Sequence, residues 1–479
     1  MSPIVREVVI PMQFKPRLFK RYAADNVHNS QLRKAYRFAT HHALQKRADV
    51  VKDVPEWEAL RTRAHLVKQE AIEHLDVYLE RFEQQVQSVG GHVFWARDGR
   101  EARDYILGVA RRIGARNIVK SKSMTTEEIG LSQFLQESGI RTVETDLGEY
   151  IIQLAGETPS HLTAPALHKT REEIGELFAN KLGIPFTSVP EELCAVARGL
   201  LREQFLSADL GISGCNFGLA DTGTVVVVEN EGNARLSTTL PRVHIAVMGL
   251  EKIIPSFTDL PVFLKLLARS STGQKQTVYV SMINSARRKD DLDGPEEFHV
   301  VLLDNGRTEI LADPKMRESL YCIRCGACLN TCPIYQRVGG HAYGSVYSGP
   351  IGAAITPVYQ GIQEAQDLPF ASSLCGACAN ICPVKIDIHH LLLWLRRQVV
   401  ETLDRPWRER LLMKLYLMGM KDETLYRMGS ALLRVALSFT GNGKGQPRVP
   451  GWTETRDFPP LADKTFKQLW KESTRGSQR

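Results

Sequence analysis

The fold class of this chain is indicated by the segment GREARDYILGVARRIGARNIVKSKS, residues Gly99–Ser123. Its first part carries apolar residues at helical spacing up to a glycine and its second part is a short β-rich run, so it predicts a helix followed by a strand. The flanking segments continue the alternation, with a strand in Gly90–Ala96, a helix in Thr125–Gly139 and a strand in Ile140–Asp146. Strands that alternate with helices of this length predict right-handed βαβ crossovers and a mainly parallel sheet. Two later β-rich runs that predict further strands are FGLADTGTVVVVENEG at Phe217–Gly232 and FHVVLLDNGRTEIL at Phe298–Leu311.

A chain of 479 residues is too long for one ordinary hydrophobic core. The segment before Gly90 is rich in good helix formers, and the strand signals vanish after Asp313. We therefore expect four parts. They are a helical N-terminal arm over 1–65, an α/β domain over 66–313, a helical cysteine-rich domain over 314–395 and a helical tail over 396–479.

The composition is that of a soluble globular protein, with 43% hydrophobic and 24% charged residues. No run of 18 apolar residues is present, so a membrane span is not expected. The N-terminal stretch lacks a small-residue cleavage site after its short apolar patch, which predicts no secretory signal and a cytoplasmic location. The net charge of +7 is spread without a basic stripe. This argues against nucleic-acid binding and favours solubility or an acidic partner.

Seven of the nine cysteines fall between Cys322 and Cys382, and CIRCGACLNTCP at Cys322–Pro333 matches the pattern CxxCxxCxxxCP in full. Closely spaced thiolates on a tight turn hold three irons of one cubane, while the cysteine before the proline ligates the other cluster in two-cluster proteins. Zinc is the alternative for paired CxxC spacings. Since zinc motifs do not need the third cysteine and the trailing proline, the motif favours iron–sulfur clusters.

The second motif, SSLCGACANICPV at Ser372–Val384, is incomplete, because Ser372 stands where the first cysteine of a full motif would be. Crosswise ligation predicts a complete [4Fe–4S] cluster and a second cluster with three thiolates. The predicted ligands of the first cluster are Cys322, Cys325, Cys328 and Cys382. The predicted ligands of the second cluster are Cys332, Cys375 and Cys378.

Three outcomes are open for the second cluster. It is a [3Fe–4S] centre, or a cubane whose fourth iron takes Ser372 or another non-thiolate ligand, or a cubane that recruits Cys194 or Cys215 from the α/β domain. The last is the least favoured, because isolated cysteines are usually small buried hydrophobic residues. A serine ligand requires a deprotonated hydroxyl, for which thiolates are the better alternative. We expect ligation by three thiolates, with a labile fourth iron as the close competitor.

Longer stretches of the chain resemble one bacterial family, the lactate-utilization protein B (LutB) family, which joins a LUD domain to a ferredoxin module. The matching stretches are VKSKSMTTEEIGL, ETDLGEYIIQL, SADLGISGCNFGLADTG, NEGNARLSTTLPRVHIAVMG, DGPEEFH, CIRCGACLNTCP and GGHAYGSVYSGPIGA, between about residues 119 and 383. The long link between the motifs also resembles the α-helical ferredoxin domain of succinate dehydrogenase iron–sulfur subunits, in which a [4Fe–4S] cluster lies next to a [3Fe–4S] cluster. Some relatives carry a cysteine where Ser372 stands.

The resemblance implies a fold class and a role. The fold is an α/β LUD-type domain with a mainly parallel sheet, plus an α-helical dicluster ferredoxin-like domain and helical termini. The role is electron transfer in a complex that oxidises L-lactate to pyruvate, with two companion proteins, one cysteine-rich and one a smaller LUD protein. The tail helices are expected to pack against the cluster domain or a partner, and their mixed apolar and basic faces also allow peripheral membrane association.

Weaker signals suggest a small-molecule site in the α/β domain. Lys120, Ser121, Lys122 and Ser123 follow a strand and precede a helix, as in an anion cradle. A second group of polar residues follows the valine run, near the expected C-terminal edge of a parallel sheet. This group consists of Glu229, Asn230, Glu231, Asn233 and Arg235. Loop caps and surface pairing are the alternative explanation for both groups.

Four histidines and two arginines each allow two interpretations. A histidine without an evident partner is more often a hydrogen-bonded structural residue than a metal ligand. This applies to His161, His168, His389 and His390. The arginines Arg324 and Arg337, close to cysteines of the first motif, either raise cluster potentials through their charge or are solvated surface residues.

We predict no catalytic residue, because the chain lacks a GxGxxG motif after a strand for NAD or FAD, and thiolate motifs alone supply no hydride chemistry. Whether the chain is an enzyme by itself is thus an open question, and an electron-carrying subunit is favoured. The alternative function is an iron–sulfur sensor or scaffold that regulates a partner.

Overall fold

A computed structural model describes residues 15–403, 407–439, 453, 457–460, 462 and 464–476. Residues 1–14, on which the prediction of a missing secretory signal partly depends, lie outside the described residues. The chain divides into two compact units, 1–401 and 402–479.

Four helices precede the first strand: α1 (Phe19–His28), α2 (Ser30–Lys52), α3 (Trp57–Glu73) and α4 (Leu75–Ser88). The first half of the α/β region contains β1 (His92–Ala96), α5 (Gly99–Arg112), β2 (Asn117–Lys120), α6 (Met124–Glu128), α7 (Leu131–Glu137), β3 (Arg141–Glu144), α8 (Leu147–Ala155), α9 (Arg171–Leu182) and α10 (Pro190–Leu206). The second half contains β4 (Leu210–Gly214), β5 (Phe217–Leu219), β6 (Thr224–Glu229), α11 (Asn233–Thr239), β7 (Val243–Gly249), β8 (Ile253–Ile254), α12 (Leu260–Ser271), β9 (Tyr279–Ile283), β10 (Glu297–Leu303) and α13 (Arg307–Ala312).

The main sheet has six parallel strands in the order β1-β10-β7-β4-β2-β3. Strand β7 lies in its centre, where Val243 is in register with Glu297 on one side and Leu210 on the other. Every residue of β7 is buried, as expected for a strand covered by helices on both faces. The predicted α/β domain with a mainly parallel sheet is confirmed.

A second sheet has the order β8-β5-β6-β9, and here one prediction is wrong. The valine run of β6 was expected to end at the C-terminal edge of the parallel sheet, but it pairs antiparallel with β5 and β9. The cause is the short connection after Leu219, which closes with Gly223 at a φ of 65° and a bond from its N–H to the Leu219 carbonyl of 2.9 Å. A connection this short permits only an antiparallel pair.

The single helix predicted over 125–139 is in fact two helices, α6 and α7. Gly130 lies between them at a φ of 60°. A residue in this left-handed conformation ends the first helix and redirects the chain.

In its described residues the cysteine-rich region contains helices joined by loops and no strand, with α14 (Ala327–Thr331), α15 (Tyr335–Val338), α16 (Gly349–Tyr359), α17 (Ala377–Ile381) and α18 (Ile388–Thr402). The predicted boundary at 65/66 falls inside α3 and that at 395/396 inside α18. The four domain ranges remain predictions.

The N-terminal helices hold the cysteine-rich region through side chains that bond to its backbone. Arg61 of α3 donates to the carbonyls of Cys382 at 2.9 Å and Asn380 at 2.8 Å, and Arg47 of α2 donates to that of Ile381 at 3.1 Å. These bonds satisfy carbonyls at the end of α17, which have no partner within the helix. The arm thus supports the second motif directly.

The second unit contains α19 (Trp407–Lys421), α20 (Glu423–Ser438) and α21 (Phe466–Gly476). Many large apolar side chains are exposed there, among them Trp407, Tyr416, Leu432 and Trp470. No helix in the described part of the chain is long and apolar enough to cross a membrane. The contact of these helices with a partner or a membrane surface remains a prediction.

Candidate metal centre

The two cysteine motifs fold into the same tight turn. Arg324 and Gly326 of the first motif have φ angles of 59° and 77°, and Leu374 and Gly376 of the second have 55° and 78°. A five-residue helix follows each turn. Because a positive φ is uncommon for residues other than glycine, the shared geometry makes the second motif a structural repeat of the first.

Four cysteines line one cavity: Cys322, Cys325, Cys328 and Cys382. Most of the remaining wall is apolar, with Leu162, Ile323, Ile351, Val384, Ile386 and Ile388. Cys382 therefore faces the three leading cysteines of the other motif. This is the grouping that crosswise ligation requires of the first site.

Backbone amides point at two of these sulfur atoms. The Arg324 N–H donates to Cys322 Sγ at 3.4 Å, and the Ile386 N–H donates to Cys382 Sγ at 3.4 Å. Donated hydrogen bonds favour the charged form of an acidic group, here the thiolate. Such bonds to sulfur are also among the features that set the potential of an iron–sulfur cluster.

The chemistry of the first site fits a metal centre. Burial raises the pKa of Cys325 and of Cys382 to about 12, and neighbouring thiols add to the effect. The pKa of Cys328 is raised well above its ordinary value for the same reasons. Three buried thiols and the half-buried Cys322, this close together, become thiolates only around a strongly positive centre. A metal cluster supplies that charge, and the apolar wall shields it from water.

Cys332, Cys375 and Cys378 form a second group. Burial raises the pKa of Cys378 to about 11, with further contributions from the charges of Cys332 and Cys375. Burial also raises the pKa of Cys332, and the charge of Cys375 raises it further. Cys332 and Cys378 are buried, but Cys375 is exposed. The second site thus reaches the protein surface.

Ser372 occupies the position in the second turn that Cys322 occupies in the first. The Leu374 N–H donates to Ser372 Oγ at 3.1 Å, as the Arg324 N–H donates to Cys322 Sγ. Arg396 fixes the Ser372 carbonyl at 2.7 Å. The hydroxyl is therefore held where a fourth thiolate would stand.

Two further cysteines lie in the α/β domain. Cys194 is half-buried on α10, and Cys215 is buried just after β4. Burial raises the pKa of the Cys215 thiol to about 12. Within residues 15–403, neither of them lines the cavity of the first site.

A buried charge network, which no local sequence pattern indicates, joins the first site to the main sheet. Arg324 lies 3.3 Å from Glu251, and Arg307 bridges Glu251 at 2.5 Å and Glu128 at 2.9 Å. Lys68 of α3 donates to the Glu251 carbonyl. Of these residues, Glu128, Glu251 and Arg307 follow the carboxyl ends of β2, β7 and β10, respectively. The cysteine-rich region therefore covers the edge of the sheet at which α/β proteins place their sites.

The two arginines singled out from the sequence have different environments. The Arg324 side chain is 7% exposed and lies over the Tyr347 ring at 4.5 Å, whereas Arg337 is exposed. A buried charge is screened less than an exposed one. Arg324 is thus the arginine placed to influence the potential of the first site.

Within the predicted anion cradle, Lys120 pairs with the protein's own carboxylates, whereas Ser121 Oγ and Lys122 Nζ are buried and have no hydrogen-bond partner among the described residues. Lys120 is fully buried and pairs with Glu127 at 3.0 Å and Glu144 at 2.9 Å. Ser123 caps α6 by accepting from the Thr126 N–H at 3.2 Å. The charge of Lys120 is therefore neutralised within the domain.

The group after the valine run also has internal partners. The Glu229 carboxylate accepts from the N–H groups of Ala234 at 2.8 Å and Arg235 at 2.7 Å. Asn233 is buried and donates to Thr145 Oγ1 at 3.3 Å. Although β6 lies in the antiparallel sheet, Thr145 directly follows β3, so Asn233 lies beside the carboxyl edge of the main sheet.

Each of the four histidines has a hydrogen-bond or carboxylate partner. His161 Nε2 lies 3.3 Å from Asn330 Oδ1, and burial lowers the pKa of His161 to about 4, so the ring is neutral. His168 Nε2 lies 2.7 Å from a Glu157 oxygen. These partners are those of structural residues. The remaining two, His389 and His390, both contact Asp387 at the start of α18.

Comparison with known families accounts for most of the chain. The LUD domain family matches residues 79–303, the 4Fe-4S dicluster domain family residues 318–386, and the family "Lactate utilisation protein B, C-terminal" residues 399–475. One solved structure, of a duf162 family protein from Deinococcus radiodurans, aligns with 48% of this chain and 98% of its own at 13% identity and a TM-score of 0.27.

Two relatives that match over nearly their whole length carry the same name. Lactate utilization protein B of Bacillus licheniformis is 45% identical over 470 residues, which is 97% of this chain and 98% of the relative. The protein of the same name from Bacillus subtilis is 44% identical over 460 residues, covering 95% and 96%. Identity at this level over nearly the whole length shows that the chain belongs to the lactate utilization protein B family.

Proposed function

We propose that this chain is the iron–sulfur electron-transfer subunit of a complex that oxidises L-lactate to pyruvate and so allows lactate to serve as a carbon source. The observation that carries the proposal is the gathering of seven cysteines into two groups, each drawn from both motifs. Clusters bound there would take up and release single electrons. The substrate comes from the family, whose members are named for lactate utilization.

The proposed ligands follow the two groups. The first cluster, a [4Fe–4S] centre, would be held by Cys322, Cys325, Cys328 and Cys382. The second, a [3Fe–4S] or [4Fe–4S] centre, would be held by Cys332, Cys375 and Cys378. The buried first site and the surface-reaching second site favour exchange with other proteins through the second.

The identity of residue 372 decides the second cluster. We expect Ser372→Cys to give about eight irons per chain, against about seven with the native serine, because the turn already places this side chain like that of Cys322. Iron and acid-labile sulfide analysis measures the change. Ser88→Cys, at an exposed serine at the end of α4 and far from both motifs in sequence, is the control and should leave the iron content unchanged. Equal iron in the native protein and Ser372→Cys would contradict ligation by three thiolates.

The lactate-oxidising complex would also contain a cysteine-rich subunit and a smaller LUD protein. We assign no catalytic residue to this chain, so lactate chemistry belongs to the assembly. Its own residues bind the clusters, exclude water from the first site through the apolar wall, and place Arg324 beside Cys322.

The division of labour is testable with L-lactate as the reductant. With clusters loaded, we expect dithionite to reduce the isolated chain and L-lactate to leave it oxidised, while lactate reduces it once both companion proteins are added. Visible absorbance and EPR follow the reduction. Reduction of the isolated chain by lactate alone would make it a self-sufficient oxidoreductase. Clusters that no reductant changes, with partner binding that depends on cluster loss, would instead indicate a sensor.

A further inference from the structure

An open groove with a strongly basic lining lies between α2 and α15. It has a volume of about 450 Å³ and is lined by Ser30, Arg33, Lys34, Arg37, His41, Gln336 and Arg337, called here the basic groove. The residues from α2 recur every three or four positions, with Arg33 and Lys34 adjacent, and therefore share one face of the helix. All the lining residues belong to the described part of the chain, and none of them is acidic.

We propose that the basic groove is the docking surface for an acidic protein that exchanges electrons with the second cluster. This inference rests on the proposed electron-transfer function and names the chemistry of the partner.

The charges of the groove are not neutralised within the protein. In residues 15–403, Arg33, Lys34, Arg37 and Arg337 form no ion pair within 4.0 Å, although basic residues elsewhere on the surface, such as Lys20 with Asp367 at 2.8 Å, do so. Unpaired cations of one sign in a concave surface create a positive potential that attracts acidic partners. The groove is thus a local positive feature in a chain whose charges are otherwise mixed.

The groove adjoins the second cysteine group. Gln336 in its wall donates its N–H to the Cys332 carbonyl at 3.0 Å and its side chain to the Asn330 carbonyl at 2.6 Å. The same helix α2 reaches the second motif, where Arg47 bonds to Ile381 at 3.1 Å. Since Cys375 of this group is exposed, a protein seated in the groove would lie beside the accessible cluster.

The dimensions favour a protein over a small anion. From Ser30 to His41 the basic face extends over about 16 Å of helix, calculated from the helical rise, which is too long for one carboxylate or phosphate. Electron-transfer partners meet through small, charged surfaces. Complementary charge raises their association rate and makes that rate sensitive to salt.

The test uses the full chain with clusters loaded and reduced. Its oxidation is followed by stopped flow with cytochrome b5, an acidic haem protein, and with cytochrome c, a basic one, at rising ionic strength. The groove variant is Arg33→Glu, Lys34→Glu and Arg37→Glu together. The matched control places the same charge changes on exposed residues of α9 and α10, as Lys181→Glu, Arg198→Glu and Arg202→Glu.

For the native chain and the control, we expect a fast rate with cytochrome b5 that falls as salt is added. At low salt, the oxidation rate of the groove variant with cytochrome b5 should be lower by about tenfold or more. Its rate with cytochrome c should rise. A neutral set, Arg33→Gln, Lys34→Gln and Arg37→Gln, should change the rates in the same direction by less, and it keeps the test valid if the charge reversal impairs folding.

Other outcomes separate the two proposals. Equal rates in the groove variant and the control, with clusters that dithionite reduces in both, would overturn the docking inference and leave the electron-transfer function standing. Clusters that are never reduced would overturn that function and the inference with it. Groove-dependent binding of a single-stranded RNA in a gel-shift assay, with unchanged cytochrome b5 rates, would overturn docking of an acidic protein.

Discussion

Replacing Arg307 by methionine is expected to destabilise the protein by about 3–5 kcal/mol, since it leaves buried carboxylates without their cation. Arg307 is fully buried and pairs with Glu128 at 2.9 Å and Glu251 at 2.5 Å. Chemical denaturation of the chain with clusters loaded measures the loss. The matched control is Arg112→Met, which removes an exposed pair with Glu297 and should cost less than about 1 kcal/mol. Equal losses in the two variants would contradict the role of the network.

The difference in stability between the native protein and Arg307→Met depends on pH in a direction that the pKa of Glu251 determines. Burial alone would raise the pKa of Glu251, but Arg307 and Arg324 hold it well below its ordinary value. A depressed pKa in the folded state stabilises the fold above the unfolded-state pKa of about 4.3. The stabilisation falls away as the pH drops toward the folded-state value. Native protein and Arg307→Met should therefore differ most at neutral pH and converge in acid.

The second large effect concerns the proposed crosswise ligation. Cys382→Ala is expected to abolish the same centre as Cys322→Ala and to remove up to about four irons per chain, although the two cysteines belong to different motifs. Cys332→Ala should instead abolish the centre that Cys378→Ala abolishes. EPR of the dithionite-reduced variants identifies which centre survives. Ligation within each motif would pair Cys382 with Cys378, and that result would contradict the assignment.

The sequence predicted the parts of the fold that are encoded locally. The strand and helix around Gly99–Ser123 form as expected, because the apolar spacing and the closing glycine act within a few residues. The prediction that β6 joins the parallel sheet was wrong, since a valine run alone does not reveal which sheet it joins. Gly130 was taken as part of one helix, because a single glycine is also tolerated within a helical pattern.

The cysteines of the candidate site were predictable because both motifs have a recognisable spacing. The cysteine spacings predicted two groups, and Ser372 was identified by its distance from Pro383. The partners of Arg324 were not predictable, because Glu251 and Arg307 come from separate strand ends that only the folded sheet brings together. The basic groove also depends on tertiary packing, which sets Arg337 against α2.

Ligation of two iron–sulfur clusters by the seven cysteines is tested by the metal content and redox behaviour of anaerobically purified protein. Iron and acid-labile sulfide are quantified, and low-temperature EPR is recorded as isolated and after dithionite. We expect about seven irons, an oxidised-state signal at g of about 2 and a further signal on reduction, as for a [3Fe–4S] and a [4Fe–4S] centre. About eight irons without the oxidised-state signal would contradict three-thiolate ligation alone. Zinc in place of iron would contradict the electron-transfer function itself.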